Sequence, residues 1–281
     1  MPLRVSFMIL CKFLNKKTFP FGNKINFNSD IAEKDHSFYE SVDMQLIDKI
    51  SSANISCLFH GGSKEVVSKA LSYCNSKNVS IGAHVSFLDR DNFGRSQINW
   101  NKQLIHGILN DQLLFIHNLA LEMSATVTHI KLHGALSNMA CVDQDLSAEI
   151  VGYLKKNYPS LILLVPALSE LAKMSLESDT ATALEVFADR TYESNGTLTP
   201  RSVSGSLITD PKSASEHVRA MLIQKGIISR VGDTLKTDIH SICVHSDTPN
   251  SIEISEQICI LLEEMKIKPV SYTHLTLPTK A

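Results

Sequence analysis

Four of the eleven histidines in this 281-residue chain, His60, His84, His133 and His245, each close an apolar run that reads as a β-strand. Asp30, Asp189 and Asp247 stand at equivalent strand ends. If the strands are parallel, all seven side chains fall on one rim, at the carboxyl ends of the strands where α/β sites are built. Histidines and carboxylates gathered there can bind a divalent metal that activates water. They can also move protons as general acids and bases without one. There is no compact HxH or HExxH pair, so no residue is assigned as a metal ligand and a rim-bound divalent metal stays the weaker option. Lys131 and Arg190 could hold a carboxylate or stabilise an oxyanion or phosphate, or could serve only in structural ion pairs. Any one of the histidines taken alone could equally be a packed core residue. His106, His117 and His217 fall within predicted helices and default to surface or packing roles, and His36, His129 and His240 stay ambiguous.

The elements that must position this rim are readable in order. Lys24–Asp30 alternates apolar and polar residues as a strand does, with Asn28 and Asp30 on one face and Glu33 in the following turn. Asp43–Ser52 reads as a helix with Met44, Ile47 and Ile50 on one side. Ala53–Phe59 is the second strand and runs into His60-Gly61-Gly62, whose amides could meet an anion or simply turn the chain. Ser63 can cap a helix carrying Val66, Val67, Ala70, Leu71 and Cys74. Val79–His84 is the third strand, and the charged loop Asp89–Arg95 suits a substrate-facing lid. Asn101–Met123 is a long helix with Leu104, Ile105, Ile108, Leu109 and Leu113 as its apolar set. Thr128–Leu132 is the fourth strand, with Lys131 two residues before His133 on the same face. Asp143 caps a later helix.

Leu161–Val165 and Ala183–Phe187 are wholly apolar strands of the kind buried on both faces of a parallel sheet. The aperiodic polar segment Glu193–Ser206 is long enough to be functional. Asp210-Pro211 starts a helix and Gly226 stops it. Ser241–Val244 is the last strand, before His245-Ser246-Asp247. Strands alternating with helices give a parallel sheet with right-handed crossovers. Because candidate residues follow almost every strand, a distorted (β/α) barrel of about seven parallel strands is expected in place of an open sheet.

The composition is 43% hydrophobic and 20% charged, with a net charge of −2. That offers no basic stripe for nucleic acid, and no run approaches the roughly 20 apolar residues of a membrane span. The six cysteines are scattered, with Cys57 and Cys243 inside apolar runs, which fits buried free thiols and a reducing cytoplasm. Neither GxxxxGK[ST] nor GxGxxG occurs. Residues 1–22 read as an extension outside the fold, 23–270 as a single barrel domain, and 271–281 as a non-native tail.

Seven short motifs fall in one order: Asn28-x-Asp30-x-x-Glu33; Ser52-Ala53-Asn54-Ile55 with Phe59-His60; Ile81-Gly82-Ala83-His84; Lys131-x-His133-Gly134-Ala135-Leu136-x-Asn138; Glu185-Val186-Phe187-Ala188-Asp189-Arg190; Pro200-Arg201-Ser202; and Cys243-Val244-His245-x-Asp247-Thr248-Pro249. Together they resemble the LamB/YcsF family, the A subunits of bacterial 5-oxoprolinase, from about Lys24 to Lys268. The resemblance implies a barrel related to glycoside hydrolases and polysaccharide deacetylases. It implies ATP-dependent opening of the 5-oxoproline lactam to glutamate, with ATP and its magnesium as cosubstrate and subunits B and C as partners. On that basis Asp30, His60, His84, Lys131, His133, Asp189, His245 and Asp247 are the expected catalytic set. Asn28, Glu33, Asn54, Glu185, Arg190 and Arg201 are the expected substrate-binding set.

The chain departs from the family pattern at several points: Leu58 and Ser246 stand for glycines, Val85-Ser86 for Pro-Gly, Leu132 for proline and Ser137 for tyrosine. Residues 34–39 lack the usual glycine-containing loop. Ser63 replaces an aspartate and so removes a carboxylate. Two other readings therefore compete with the first: a stand-alone metal-dependent deacetylase or amidohydrolase, and a non-catalytic assembly subunit.

Overall fold

The computed structural model describes residues 23–35 and 41–272. Seven parallel strands close into a barrel: β1 (Lys24–Ile31), β2 (Ser52–Ser56), β3 (Ser80–Val85), β4 (Val127–Leu132), β5 (Ile162–Pro166), β6 (Thr182–Phe187) and, after a hairpin, β9 (Ser241–Cys243). β9 pairs with both β6 and β1 and completes the ring. The hairpin is antiparallel, β7 (Gly226–Ile228) with β8 (Thr234–Lys236), and β10 (Lys268–Pro269) adds to the start of β1. The expected barrel of about seven parallel strands is the observed one.

Two-residue periodicity divides each strand between two environments. One set, including Phe27, Ile31, Ile55, Ala83, Val85, Ile130, Leu132, Val165, Val186 and Ile242, joins the large core under the helices. The other set faces inward and is mostly polar on the β1–β4 and β9 side. There Ser52 and Ser241 both donate to Asn26 Oδ1, at 2.8 and 2.6 Å. Asn54 donates to Asn28 Oδ1 at 2.8 Å. On the β5–β6 side part of the interior is apolar, where Ile162, Leu164 and Ala183 pack around Tyr272, while Glu185 of β6 joins the polar set. The barrel interior thus includes Tyr272, a residue of the stretch read as a tail.

The helices follow capping chemistry. Ser63 caps α2 (Lys64–Ser76), Asn101 caps α3 (Lys102–Glu122), and Asp143 caps α5 (Gln144–Asn157). Asp210 caps α7 (Pro211–Gln224), with proline in its first turn. The remaining helices are α1 (Val42–Ile47), α4 (Gly134–Ala140), α6 (Glu170–Glu177) and α8 (Ser251–Glu264).

Several boundaries differ from expectation. α1 stops at Ile47, because Ser51 N must reach Phe27 O at 2.8 Å to start β2. β2 ends at Ser56, where Leu58 takes φ +71°, a conformation that suits the glycine it replaces. Leu104 lies in the first turn of α3 and is 36% exposed, outside the buried stripe. α7 is closed by Lys225 at φ +49°, and Gly226 begins the hairpin, which the sequence pattern does not announce. Cys57, Cys74, Cys141, Cys243 and Cys259 are free thiols. Among the described residues no helix is long and apolar enough to cross a membrane.

Candidate active site at the barrel mouth

The carboxyl ends of the strands surround a cavity of about 500 Å³. Its lining includes Asp30, Glu33, His84, Lys131, His133, Arg190, Arg201, His245 and Asp247, nine of the residues singled out by sequence. The other five, Asn28, Asn54, His60, Glu185 and Asp189, sit behind these side chains and hold them.

Lys131 is the centre of the first group. Its ammonium lies 3.0 Å from Asp30 Oδ1, 3.2 Å from Glu185 Oε1 and 3.1 Å from Cys243 Sγ. Burial opposes its charge, but Asp30, Cys243 and Glu185 hold its pKa well above the lysine range. Burial also opposes ionisation of Asp30, yet His84 and Lys131 hold its carboxyl well below the usual range. Glu185 moves the other way: burial raises it despite Lys131. Asp30 therefore carries most of the charge that balances Lys131. Asn28 and Asn54 are positioning residues. Asn28 Nδ2 donates to Glu185 at 2.7 Å, and Asn54 Nδ2 donates to Asp30 at 2.8 Å. Asn54 Oδ1 in turn lies 3.0 Å from His129 Nε2, which places that ambiguous histidine in the barrel interior.

The second group gathers around Glu33. Its Oε1 lies 3.0 Å from His60 Nε2, 3.2 Å from His133 Nδ1 and 3.5 Å from His84 Nε2. The four residues offer ligand atoms within 4.8 Å of one another, so this cluster could hold a metal ion. No ligand set was assigned from the sequence; the signal that could have found one was Glu33, three residues beyond Asp30, facing three strand-end histidines. Burial opposes ionisation of Glu33, but hydrogen bonds from His133 and His60 keep its pKa well below the carboxylate range. Burial lowers His60 to about 4 and lowers His84, whereas Glu33 raises His133 in spite of burial.

The third group lies opposite. Asp189 accepts from His245 Nδ1 at 3.0 Å and from Thr248 Oγ1, so it orients the His245 ring. Asp247 bridges Arg95, at 2.6 Å, and Arg201, at 3.1 Å, across the cavity mouth. Arg95, within the charged loop that reads as a lid, also lines the cavity, although nothing in the sequence sets it apart from its charged neighbours. That loop docks through Gly94, whose carbonyl accepts from Ala135 N at 2.8 Å. A β-carbon on Gly134 would come within 2.3 Å of the same oxygen, so this approach requires glycine. Arg190 donates to the Thr199 and Ser206 carbonyls and thereby shapes the Glu193–Ser206 loop.

Two sequence features are structural. The Gly61 and Gly62 carbonyls accept from Ser56 and Arg90, and this turn lies outside the cavity lining. Ser63 accepts from Val66 N at the start of α2, a capping task that aspartate performs equally well. His106 pairs with Glu149, and His217 stacks on Tyr192.

Comparison with known proteins gives one consistent result. The sequence profile of the LamB/YcsF family matches residues 25–276. A protein of Azorhizobium caulinodans, named as the A subunit of 5-oxoprolinase, is 35% identical over 239 residues, covering 85% of this chain and 94% of the relative. Another of that name, from an Azoarcus species, is 35% identical and covers 84% and 92%. The crystal structure of a lactam utilization protein from Thermus thermophilus superposes with a TM-score of 0.80 at 27% identity, covering 88% of this chain and 99% of that one. A structure from Enterococcus faecalis, at 13% identity and a TM-score of 0.57, shares the fold.

Proposed function

The chain belongs to the LamB/YcsF family, and from that premise we propose that it is the A component of an ATP-dependent 5-oxoprolinase, a hydrolase that opens the 5-oxoproline lactam to glutamate. The observation that carries this reading is the 35% identity to the A components of 5-oxoprolinases across nearly the whole barrel. Subunits B and C are the partners, ATP with magnesium is the cosubstrate of the assembly, and the cytoplasm is its compartment.

A lactam carbonyl is a poor electrophile. Transfer of a phosphoryl group from ATP to the carbonyl oxygen makes the carbon open to water. ADP leaves at that step. The water oxygen then bonds to the carbon, the C–N bond breaks and the ring nitrogen gains a proton. A second water cleaves the resulting acyl phosphate to release glutamate and inorganic phosphate.

The cavity has groups for each need. Arg95 and Arg201, held by Asp247, present cations to a carboxylate or phosphate entering the mouth. Lys131 supplies a buried positive charge where negative charge develops on oxygen. Asp30, kept ionised beside it, can take the proton from water, and His245, oriented by Asp189, can deliver one to the ring nitrogen.

The test is glutamate formation from 5-oxoproline and ATP by the purified chain with and without subunits B and C. The proposal expects glutamate only with every component present. ATP-independent amide hydrolysis by this chain alone would replace it with the stand-alone amidohydrolase reading, and undiminished turnover by B and C alone would leave the chain a non-catalytic assembly component.

A further inference from the structure

We propose that Glu33, His84 and His133 hold one divalent first-row transition-metal ion at the barrel mouth. His84 Nδ1 faces the Lys131 carbonyl at 3.3 Å, and His133 Nε2 faces the Phe93 carbonyl at 2.9 Å. A carbonyl only accepts, so each of these ring nitrogens carries the hydrogen. In the neutral rings His84 Nε2 and His133 Nδ1 are then bare, and they face each other at 3.0 Å. Glu33 Oε1 lies 3.2 Å from one and 3.5 Å from the other. Two lone pairs and a carboxylate oxygen thus converge in a buried space, an arrangement that a cation placed among them stabilises. A proton on either nitrogen points at one partner only, and Glu33 draws its other donor from His60 Nε2.

A metal ion serves all three. A triangle with edges of 3.0, 3.2 and 3.5 Å suits ligands at about 2.1 Å from a common ion. Two imidazoles and one carboxylate favour first-row transition ions over magnesium or calcium. His84, His133 and Glu33 all line the cavity, which provides the entry path and open coordination positions. Asp30 Oδ2 lies 3.4 Å from His84 Nε2, beside those positions.

His60 is a positioning residue in this arrangement. Its ring stacks on His133 with centroids 3.9 Å apart and planes 11° from parallel. An ion in the plane of one ring therefore lies far from the plane of the other. His60 instead bonds Glu33 through Nε2 at 3.0 Å and Ser86 through Nδ1 at 2.8 Å. The Lys131 and Phe93 carbonyls and His60 thus orient all three ligands, as outer partners do in metal sites.

The site stands on this geometry and is independent of the lactam reading. Its test is calorimetric titration of the chelator-stripped full chain with ZnCl₂ and, separately, MgCl₂. One zinc per chain with a sub-micromolar Kd is expected, with magnesium at least ~100-fold weaker. Glu33→Gln and His133→Ala should each weaken zinc at least ~10-fold, while His106→Ala, on the outer helix α3, leaves it unchanged. A wild-type zinc Kd weaker than about 100 µM, or ligand variants that bind like wild type, would overturn the site and leave a proton-bound cluster. If the variants misfold, Co²⁺-loaded wild type decides. Intense visible absorption from imidazole-ligated cobalt is expected, and a weak aquo-ion spectrum contradicts the site.

Discussion

Lys131 and Asp30 meet at 3.0 Å across the barrel mouth, from β4 and β1, strands separated by β2 and β3 in the ring. Glu185 reaches the same ammonium from β6 at 3.2 Å. Either carboxylate can therefore balance a buried lysine when the other is neutralised. Asp30→Asn and Glu185→Gln should each cost about 1–3 kcal/mol. Together they should cost more than their sum, because Lys131 is then left buried without a counter-ion. Urea unfolding of the two single variants and the double variant measures the coupling; strict additivity would contradict the shared role.

Gly82 leaves room for the polar network inside the barrel. A β-carbon there would sit 2.2 Å from His129 Nε2. His129 cannot easily retreat, since it is held by Thr128 at 2.9 Å and Asn54 at 3.0 Å. Gly82→Ala should destabilise by at least about 2 kcal/mol in thermal or urea unfolding. A variant as stable as wild type would show that the interior yields more readily than its hydrogen bonds imply.

Acid should weaken the fold before its carboxylates titrate. Burial holds His60 and His217 down to about 4 and His129 to about 3, against an ordinary value of 6.5. Between those limits the unfolded chain binds protons that the folded chain refuses, so stability falls as pH drops below about 6.5. Each histidine contributes up to about 1.4 kcal/mol per pH unit in that window. His133, raised by Glu33, works in the opposite direction, because its folded form favours the proton. Burial lowers His84 and His240 as well, so five histidines against one predict a falling Tm from about pH 6.5 toward 4.5. A flat Tm over that range would contradict it.

Asp247 was expected among the catalytic residues, and the geometry supports a positioning role through Arg95 and Arg201. Asp247→Ala should release both arginines and raise KM for 5-oxoproline about 10-fold, with kcat changed less than about 3-fold. Both partners are partly exposed, so stability should shift by less than about 1 kcal/mol. A large fall in kcat at unchanged KM would instead place Asp247 at the reacting atoms.

The barrel and its rim could be read from sequence because a strand-end histidine marks itself by interrupting an apolar run. His60, His84, His133 and His245 all do so. The division of labour at the rim was not readable, because it depends on depth. Asn28 and Glu185 look like binding residues in the sequence, yet each sits one layer below the cavity. Arg95 does not stand out in the sequence, because a single arginine in a charged loop carries no periodicity. Its role comes from Gly94 and Gly134, which bring that loop against the end of β4. The β7–β8 hairpin is not legible in the sequence for a similar reason, since three-residue strands are too short to show alternation.

Glutamate release by the complete three-component assembly carrying Lys131→Met in this chain tests the account most directly. With assembly and circular dichroism matching wild type, the account predicts a loss of at least ~10³-fold in kcat, because the buried charge that stabilises the developing oxyanion is gone. Glutamate release within about twofold of wild type would contradict the assignment of the lactam chemistry to this barrel mouth.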